Sequence, residues 1–265
     1  MDVCTLYSGS SGNSLLIRSK NTALLVDAGL SARHIVSALE EVKLVPQQLN
    51  GVLLTHEHID HIKGAGILSR RFKLPIYANE ATWTSAEPLL GRIEEENKMV
   101  FETGSCFEIG DLKIESFAVP HDAAEPVGFT FTDAKASFAM ATDLGTPTEL
   151  VKKNLFNADC IFLESNHDEE MLKTGSYPWP LKKRILSKYG HLSNGAAGSF
   201  LPEVIGNKTE QVFLGHLSKE NNLPELAYLT VANLLLEAGI KPKEQINLTV
   251  TYRDKVSKLV KLGEK

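Results

Sequence analysis

The sequence is poor in cysteine, and its three cysteines, Cys4, Cys106 and Cys160, stand far apart in a chain of 265 residues. This spacing excludes a disulfide framework and a zinc site built from thiolates. It is typical of small buried side chains in a reducing compartment, so we expect a cytoplasmic protein. The N-terminus lacks a basic segment followed by an apolar one, which argues against a signal peptide.

No apolar run approaches the roughly 20 residues that a membrane span requires, so no membrane partner is expected. The sequence has fewer positive than negative residues: 28 Lys and Arg against 33 Asp and Glu give a net charge of −5. A general attraction to nucleic acid or anionic lipid is therefore excluded, although a local basic patch is not. Linkers, repeats and low-complexity tracts are also missing, and nothing indicates a protein partner or an oligomeric state.

What the sequence does contain is an alternation of short apolar runs and helical patterns. Lys255, Lys258 and Lys261 recur every three residues, which predicts the polar face of a C-terminal helix. The pattern predicts one α/β domain over residues 1–265, with sheets flanked by helices. The predicted strands are 15–17, 23–26, 51–54, 75–78, 112–119, 128–132, 137–141, 160–163, 211–214 and 245–251, and the predicted helices are 31–42, 62–72, 179–188, 196–205 and 224–238.

The most unusual segment, residues 55–61, reads THEHIDH and holds three histidines and two carboxylates. In a helix His56 and His58 would point about 200° apart and could not share a metal ion. Where a strand turns into a loop they can converge, and Asp60 and His61 then suit a second metal beside the first. The spacing is not the H-E-x-x-H of zinc proteases, because position 60 is aspartate. The alternative is a solvated polar turn with Asp60 near a helix N-terminus.

Three further residues that can bind metal, His121, Asp143 and His216, each stand at or just beyond the end of a predicted strand. Ligands at strand ends rest on a rigid scaffold and face one edge of the sheet. Each residue alone would be interpreted as a structural polar residue. Together with the cluster at 55–61, they indicate a metal centre.

The pattern H-x-H-x-D-H, followed by a distant histidine, aspartate and histidine, resembles the metallo-β-lactamase superfamily over essentially the whole chain. The resemblance implies an α/β fold, the four-layer αββα sandwich, with two divalent metal ions at one edge. Histidine ligands suit zinc, while a bridging carboxylate and a cytosolic setting leave manganese open. Asp27, in the string LLVDAG, matches a family residue that supports the site from behind the ligands. The implied ligands are His56, His58 and His121 for the first ion, Asp60, His61 and His216 for the second, and Asp143 as the bridge.

The superfamily includes several chemistries, so the fold alone does not decide the reaction. His58 stands where the di-iron branch usually has glutamate, and Asp143 supplies a bridging carboxylate that β-lactamases lack. The short stretch between Asp143 and His216 leaves little room for the extra domain of the RNA-cleaving β-CASP branch. The glyoxalase II branch shares the ligand set, but its appended glutathione-binding helices are not recognisable. The phosphodiesterase branches remain.

Glu164 and His191 resemble the glutamate–histidine pair of the transfer-RNA 3′-processing nucleases, in which the histidine helps to protonate the leaving oxygen. The long tRNA-gripping arm of those enzymes is missing here. The strings SGSSGNS, ESNHD and GHLSN are most similar to the bacterial YycJ (WalJ) group, which is associated with 5′-to-3′ exonuclease activity on DNA. An alternative for His191 is a structural role beside Ser193, a good N-cap for the following helix.

We therefore expect hydrolysis of a DNA phosphodiester by a hydroxide held between two metal ions, which also neutralise charge on the phosphate. The expected catalytic residues are Asp60, Glu164 and His191. One alternative is a hydrolase of small phosphodiesters or thioesters, similar to glyoxalase II. A non-enzymatic scaffold subunit is a second alternative, but it would have lost ligands, and all seven are present.

Two weaker features concern the substrate. The loop at residues 8–14, with Ser10, Ser11 and Asn13, either presents polar groups to a phosphate or is a plain hairpin connection. His167 either contacts the phosphate or faces solvent. A short basic and aromatic segment offers either a nucleic-acid contact or a solvated helix face; it contains Tyr177, Trp179, Lys182, Lys183 and Arg184.

Overall fold

The computed structural model describes residues 1–263, in which two seven-stranded sheets lie face to face with helices on both outer surfaces. The first sheet consists, in spatial order, of β14 (Val260–Lys261), β1 (Asp2–Tyr7), β2 (Ser14–Arg18), β3 (Ala23–Val26), β4 (Gly51–Leu53), β5 (Ile76–Ala78) and β6 (Lys98–Val100). The second consists of β13 (Asn247–Val250), β12 (Gln211–Gly215), β11 (Cys160–Glu164), β10 (Ser137–Ala141), β9 (Val127–Thr132), β8 (Leu112–Ala118) and β7 (Cys106–Ile109). The helices are α1 (Ala32–Glu41), α2 (Ile59–Ile62), α3 (Ala65–Phe72), α4 (Glu80–Leu90), α5 (Glu149–Leu155), α6 (Glu169–Thr174), α7 (Trp179–Ile185), α8 (Asn194–Val204) and α9 (Pro224–Glu237).

The four layers follow from the alternation of side chains along the strands. In β10, Phe138 and Met140 pack into the core between the sheets, while Ala139 and Ala141 pack under α5 and α8. The first sheet repeats the arrangement, with its outer face covered by α1, α3 and α4. The central strands β3, β11 and β12 are thus buried on both faces, which explains why they are apolar runs, whereas β8 alternates between buried and exposed residues. The structure confirms the four-layer αββα sandwich that the resemblance implies.

The strands that precede the candidate site residues point the same way within each sheet. β3 and β4 are parallel, and so are β10, β11 and β12. β8 runs in the same direction as β10, because β9 lies between them and is antiparallel to both. The carboxyl ends of these strands meet at one edge, where α/β folds place their ligand sites.

Close packing at this edge depends on Gly29, which lies against the backbone that enters α2. A Cβ atom on Gly29 would lie 1.7 Å from the carbonyl oxygen of Asp60 and 2.6 Å from the backbone nitrogen of Asn13. We expect Gly29→Ala to lower the free energy of unfolding by about 1–3 kcal/mol, the usual range for overpacking. It should also lower bound metal, because the backbone of Asp60 must move. Urea denaturation and elemental analysis measure the two effects.

Gly195→Ala is the matched control for this substitution. The added Cβ would meet only the Ser193 hydroxyl, at 4.0 Å. Since alanine is favoured over glycine within a helix, this variant should be neutral or up to about 1 kcal/mol more stable. Equal stability of the Gly29 and Gly195 variants would contradict the packing argument.

Most predicted elements are confirmed, including α1 with Ser31 as its N-cap and α8 with Ser193 as its N-cap. The predicted helix at 62–72 is interrupted between Ile62 and Ala65, where the Gly64 N–H donates to the Ala28 carbonyl at 2.7 Å instead of to a carbonyl of α2. The sequence analysis missed the strands β1, β6 and β7 and the helices α4, α5 and α6.

The C-terminal helix predicted from the lysine spacing is wrong. Residues 255–259 form no helix, and Val260–Lys261 is a strand that pairs antiparallel with β1. Val256 and Leu259 pack against the core between the first sheet and the helices that cover it. These tertiary contacts override the helical preference that the lysine spacing indicated. None of the helices within residues 1–263 is long and apolar enough to cross a membrane.

Candidate metal centre

The loop after β4 brings three imidazoles together as the sequence predicts. The ring centroids of His56 and His58 lie 4.6 Å apart, and the ring of His121 lies 5.2 Å from the first and 5.1 Å from the second. His58 stays extended at the N-cap of α2, so its ring can turn back toward His56 instead of following the helix. One nitrogen from each ring lies within 4.8 Å of the others.

The protonation of this group suits a cation. Thr55 Oγ1 donates to Asp27, so it accepts a hydrogen bond from His56 Nδ1 at 3.0 Å, and His121 Nδ1 donates to the Gly190 carbonyl at 3.0 Å. Burial lowers the pKa of both His56 and His121, which keeps the rings neutral with a lone pair on Nε2.

These lone pairs face the centre of the group. His56 Nε2 is buried and has no hydrogen-bond partner among residues 1–263, and His121 Nε2 lies 3.3 Å from His58 Nδ1. A buried polar atom without a partner is costly, and a cation between the three rings would give His56 Nε2 a partner. The residues therefore fit a bound metal ion.

Asp60, His61 and His216 form a second group beside the first, with ligand atoms again within 4.8 Å of one another. The Asp60 carboxylate lies 3.6 Å from His61 Nε2 and 3.8 Å from His216 Nε2. Burial opposes a positive charge on His61, but the carboxylates of Asp143, Asp27 and Asp60 raise the pKa of this ring well above its usual value. Negative charge that retains a proton here would equally retain a metal ion.

Asp143 lies between the two groups. Its Oδ2 is 3.1 Å from His61 Nε2, and its Oδ1 is 3.5 Å from His121 Nε2. Burial opposes the charge on the Asp143 carboxyl, but the rings of His216 and His61 hold its pKa well below the usual range. One carboxylate thus offers an oxygen to each group, which is the geometry expected of a bridge.

Asp27 supports the site from behind, because it is fully buried and orients His61. Its Oδ2 accepts from His61 Nδ1 at 2.7 Å and from the Thr55 hydroxyl at 2.9 Å, while its Oδ1 accepts from the Thr55 backbone at 2.9 Å. These bonds leave His61 Nε2 pointing at the second group. Carboxylates commonly hold metal-binding histidines in this way.

Glu164 and His191 form a pair directly beside the two groups. The His191 Nδ1–H donates to Glu164 Oε1 at 2.8 Å, and Glu164 Oε2 accepts from the backbone of Leu144 and of Leu192. Burial opposes a charge on His191, but the adjacent Glu164 carboxylate raises the pKa of His191 to about 9. The ring of His191 is therefore protonated at neutral pH, and its side chain is 20% exposed toward the solvent. This arrangement suits a proton donor.

Three of the site residues have left-handed backbone conformations, which are uncommon outside glycine and are adopted most often by Asn, Asp and His. The φ angles are 61° for Asp27, 51° for Asp143 and 57° for His216. His216 is held there by two buried side chains: its N–H donates to Ser8 Oγ and its carbonyl accepts from Asn166 Nδ2, both at 2.9 Å. Residues in sparsely populated backbone conformations are frequent at functional sites.

The loop at residues 8–14 has two kinds of polar residue. Ser10 and Ser11 are exposed, whereas Asn13 is buried with its Nδ2 3.1 Å from His61 Nε2. The Asn13 backbone N–H also donates to the Asp60 carbonyl at 2.8 Å. Asn13 thus packs against the second group from inside, while the two serines border the solvent beside it.

His167 does not face solvent, which corrects one of the two interpretations drawn from the sequence. Its side chain is 1% exposed, and neither ring nitrogen has a hydrogen-bond partner within the described part of the chain. Burial lowers the pKa of His167 to about 4, so the ring is neutral at physiological pH. A buried neutral ring offers a phosphate no charge, which speaks against the direct contact that the sequence suggested.

The sequence analysis missed a buried asparagine network that holds three loops together. Asn222 Nδ2 donates to the carbonyls of Ser165 and Asn166, and Ser165 Oγ donates to Asn194 Oδ1 at 2.6 Å. Through the bond from Asn166 to His216, the network fixes the loop after β12 relative to the loop after β11. The only signal in the sequence is that Asn166 and Asn194 lie inside the ESNHD and GHLSN strings.

Comparison with known proteins gives a consistent picture. A family model described as the beta-lactamase superfamily domain matches residues 22–216. The exodeoxyribonuclease WalJ of Streptococcus pneumoniae is 45% identical over 237 residues, covering 89% of this chain and 88% of that protein. The exodeoxyribonuclease YycJ of Bacillus anthracis is 43% identical over 234 residues, covering 88% of this chain and 89% of that protein.

Among solved structures, zinc-bound PqqB from Methylobacterium extorquens superposes with a TM-score of 0.73 at 17% identity, covering 97% of this chain and 100% of that one. At this identity the likeness shows the fold alone. The family match covers most of the chain and includes the cluster at residues 55–61, together with His121, Asp143 and His216. The chain therefore belongs to the metallo-β-lactamase superfamily.

Proposed function

We propose that this protein is a metal-dependent exodeoxyribonuclease that removes nucleotides from the 5′ end of DNA. The observation that carries the proposal is the position of His191, bonded to Glu164 at 2.8 Å, directly beside the groups of side chains that could hold metal ions. The similarity to exodeoxyribonucleases over nearly the full length of both chains supports DNA as the substrate. A cytoplasmic location is part of the same proposal.

Two divalent ions, zinc or manganese, are proposed. Bound ions of this kind lower the pKa of water and neutralise charge on a phosphate. Asp143 shares its two oxygens between the groups, and Asp27 orients His61 toward them. The proposed ligands are His56, His58 and His121 for the first ion, and Asp60, His61 and His216 for the second.

His191 is proposed to protonate the leaving sugar oxygen through Nε2, because Nδ1 is engaged by Glu164 at 2.8 Å. Glu164 is fully buried and accepts hydrogen bonds from two backbone N–H groups, so it fixes the orientation of the His191 ring. General acid catalysis by such a group accelerates a reaction by roughly 10²–10⁴-fold. Asp60, with a carboxylate 21% exposed, is proposed to accept the proton of the attacking water.

The loop at residues 8–14 is proposed to contact the substrate phosphate through the exposed Ser10 and Ser11. Asn13 lies behind them, and its amide faces His61. The Asn13 amide is therefore proposed to help position the His61 ring, in addition to any contact with the phosphate. A phosphate beside this loop would also lie near the second ligand group.

The proposal predicts the substrate preference of the purified protein. After loading with manganese or zinc, it should release the label of 5′-labelled DNA in short products, progressively shorten 3′-labelled DNA and hydrolyse bis-p-nitrophenyl phosphate, and a chelator should stop all of these reactions. Cleavage of DNA should weaken as salt rises, because each phosphate contact releases counterions. Product length on a sequencing gel identifies the end attacked. Efficient turnover of S-lactoylglutathione without cleavage of any phosphodiester would instead support the thioester hydrolase alternative.

A further inference from the structure

Two large aromatic side chains stand exposed on the segment that leads into His191. Trp179, at the start of α7, is 56% exposed, and Tyr189, after its end, is 48% exposed. Each carries a lysine over its ring: Lys183 Nζ lies 5.9 Å from the Trp179 ring centroid, and Lys188 Nζ lies 5.0 Å from that of Tyr189. An exposed aromatic ring beside a cation suits the stacking of a base and the binding of its phosphate. We call Trp179, Lys183, Lys188 and Tyr189 the aromatic surface.

Tyr189 lies at the rim of the metal centre. Its carbonyl accepts from the Asp122 backbone at 3.1 Å, and the next carbonyl, of Gly190, accepts from His121 Nδ1 at 3.0 Å. On the other side the backbone at position 188 packs against Gly145, where an added Cβ would lie 2.4 Å from the Lys188 oxygen. The segment is thus wedged between the loops that carry His121 and Asp143.

The two lysines of the aromatic surface are free to contact a phosphate, whereas the neighbouring Lys182 and Arg184 are engaged within the protein. Lys182 is 7% exposed and donates to the carbonyls of Lys173 and Gly175, and Arg184 forms an ion pair with Asp122. Buried Lys182 therefore fits neither of the two interpretations drawn from the sequence for this segment, a nucleic-acid contact or a solvated helix face. Lys183 and Lys188 are exposed and have no acidic partner among the residues that the structure describes.

We infer that the aromatic surface binds the single-stranded DNA substrate, with Tyr189 stacking on a base beside the metal centre and Trp179 on a base further out. α7 separates Trp179 from Ile185, whose carbonyl accepts from the His191 backbone, by roughly 9 Å along its axis. Lys183 and Lys188 contact the phosphates between the stacked bases. Every base has a π-face, so this recognition tolerates any sequence, as an exonuclease requires.

The inference rests on the proposed nuclease function, and its test separates the two. Binding is measured by fluorescence anisotropy with a fluorescein-labelled dT12 whose phosphorothioate linkages slow its cleavage. Trp179→Leu and Tyr189→Leu retain apolar bulk but remove the π-face, so each should weaken binding by about 5- to 150-fold. Trp179→Phe and Tyr189→Phe should restore most of it. With a dinucleotide, Tyr189→Leu should still weaken binding and Trp179→Leu should not.

The lysines have a separate readout. Removing both Lys183 and Lys188 should reduce the slope of log affinity against log salt by about 1.4, since each contact on a single strand contributes about 0.7. Phe156→Ala and Lys153→Ala are the matched controls. Phe156 is 59% exposed and lies before the start of β11, at the edge opposite to Glu164. Bound metal and melting temperature report whether each variant remains intact.

The outcomes are distinct for the two proposals. Normal affinity of the Leu variants for dT12, in a protein that cleaves DNA, overturns the aromatic surface and leaves the nuclease function in place. An equal loss of binding to dT12 and to a 12-base-pair duplex also overturns it, because stacking requires unpaired bases. If the wild-type protein neither binds nor cleaves DNA while it hydrolyses another ester, the proposed function itself fails.

Discussion

Asp143→Ala should lower DNA hydrolysis by about 10³-fold or more, because metal-ion stabilisation is worth several kcal/mol and this carboxylate belongs to both ligand groups. Its oxygens lie 3.1 Å from His61 Nε2 and 3.5 Å from His121 Nε2. Elemental analysis after loading with zinc or manganese and removal of excess should find two ions per wild-type chain. The variant should lose metal from both groups together.

Asp143→Asn tests the same idea without a change of backbone preference. Asparagine tolerates the left-handed conformation at φ 51°, so this variant should fold while it lacks the bridging charge. Asp111→Ala is the control, because Asp111 accepts hydrogen bonds from Ser19 and Thr22 before the start of β8, at the edge opposite to the metal centre. One ion or none in the wild type, or full activity of Asp143→Asn, would rule out a bridged pair of ions.

His191→Ala should slow DNA cleavage by roughly 10²–10⁴-fold while it leaves bound metal intact, as expected when a general acid is removed. The loss should be small with bis-p-nitrophenyl phosphate, because p-nitrophenolate leaves without a proton. His216→Asn should instead reduce metal at the second group and slow both substrates. Asparagine is chosen because it accepts the φ of 57° at this position. Steady-state kinetics on the two substrates, together with metal analysis, distinguish a proton donor from a ligand.

The pH profile gives an independent readout of the His191–Glu164 pair. A proton donor is active only while protonated, so activity falls as pH rises through its pKa. Glu164 raises the pKa of His191 to about 9, and Glu164→Gln removes this charge, so the alkaline limb should move to lower pH. His34→Ala is the control, because His34 bonds Ser31 at the exposed start of α1. If His191→Ala loses metal, or slows both substrates equally, His191 is not the proton donor and the roles proposed for His191 and His216 must be exchanged or abandoned.

The candidate metal centre could be predicted because its ligands lie either in one short string or at the recognisable ends of strands. Residues 55–61 carry four of the side chains in one short string, and the apolar runs before His121, Asp143 and His216 mark where strands end. Parallel strands end at the same edge, so residues far apart in the chain could be assigned to one place.

Other features could not be predicted because they depend on contacts over long sequence distances. β1 pairs with Val260–Lys261, which turns the lysine-rich C-terminal segment into a strand instead of a helix. Lys182 resembles its neighbours in sequence, yet the carbonyls of Lys173 and Gly175 bury its ammonium group. Local patterns report periodicity and charge, but not which surface another part of the chain will cover.

The types of ligand and their place at one sheet edge could be inferred from the sequence, because short-range periodicity marks where strands end. The four-layer fold and the division of the ligands between two ions came from the family resemblance. The protonation of the site, in contrast, follows from tertiary contacts alone. The bonds from Thr55 to Asp27 and from His121 to Gly190 select which imidazole nitrogen is bare, and the contact between Glu164 and His191 selects which ring is charged. Protonation depends on burial and on neighbours brought together by the packing of the two sheets, and no local string of residues contains that information.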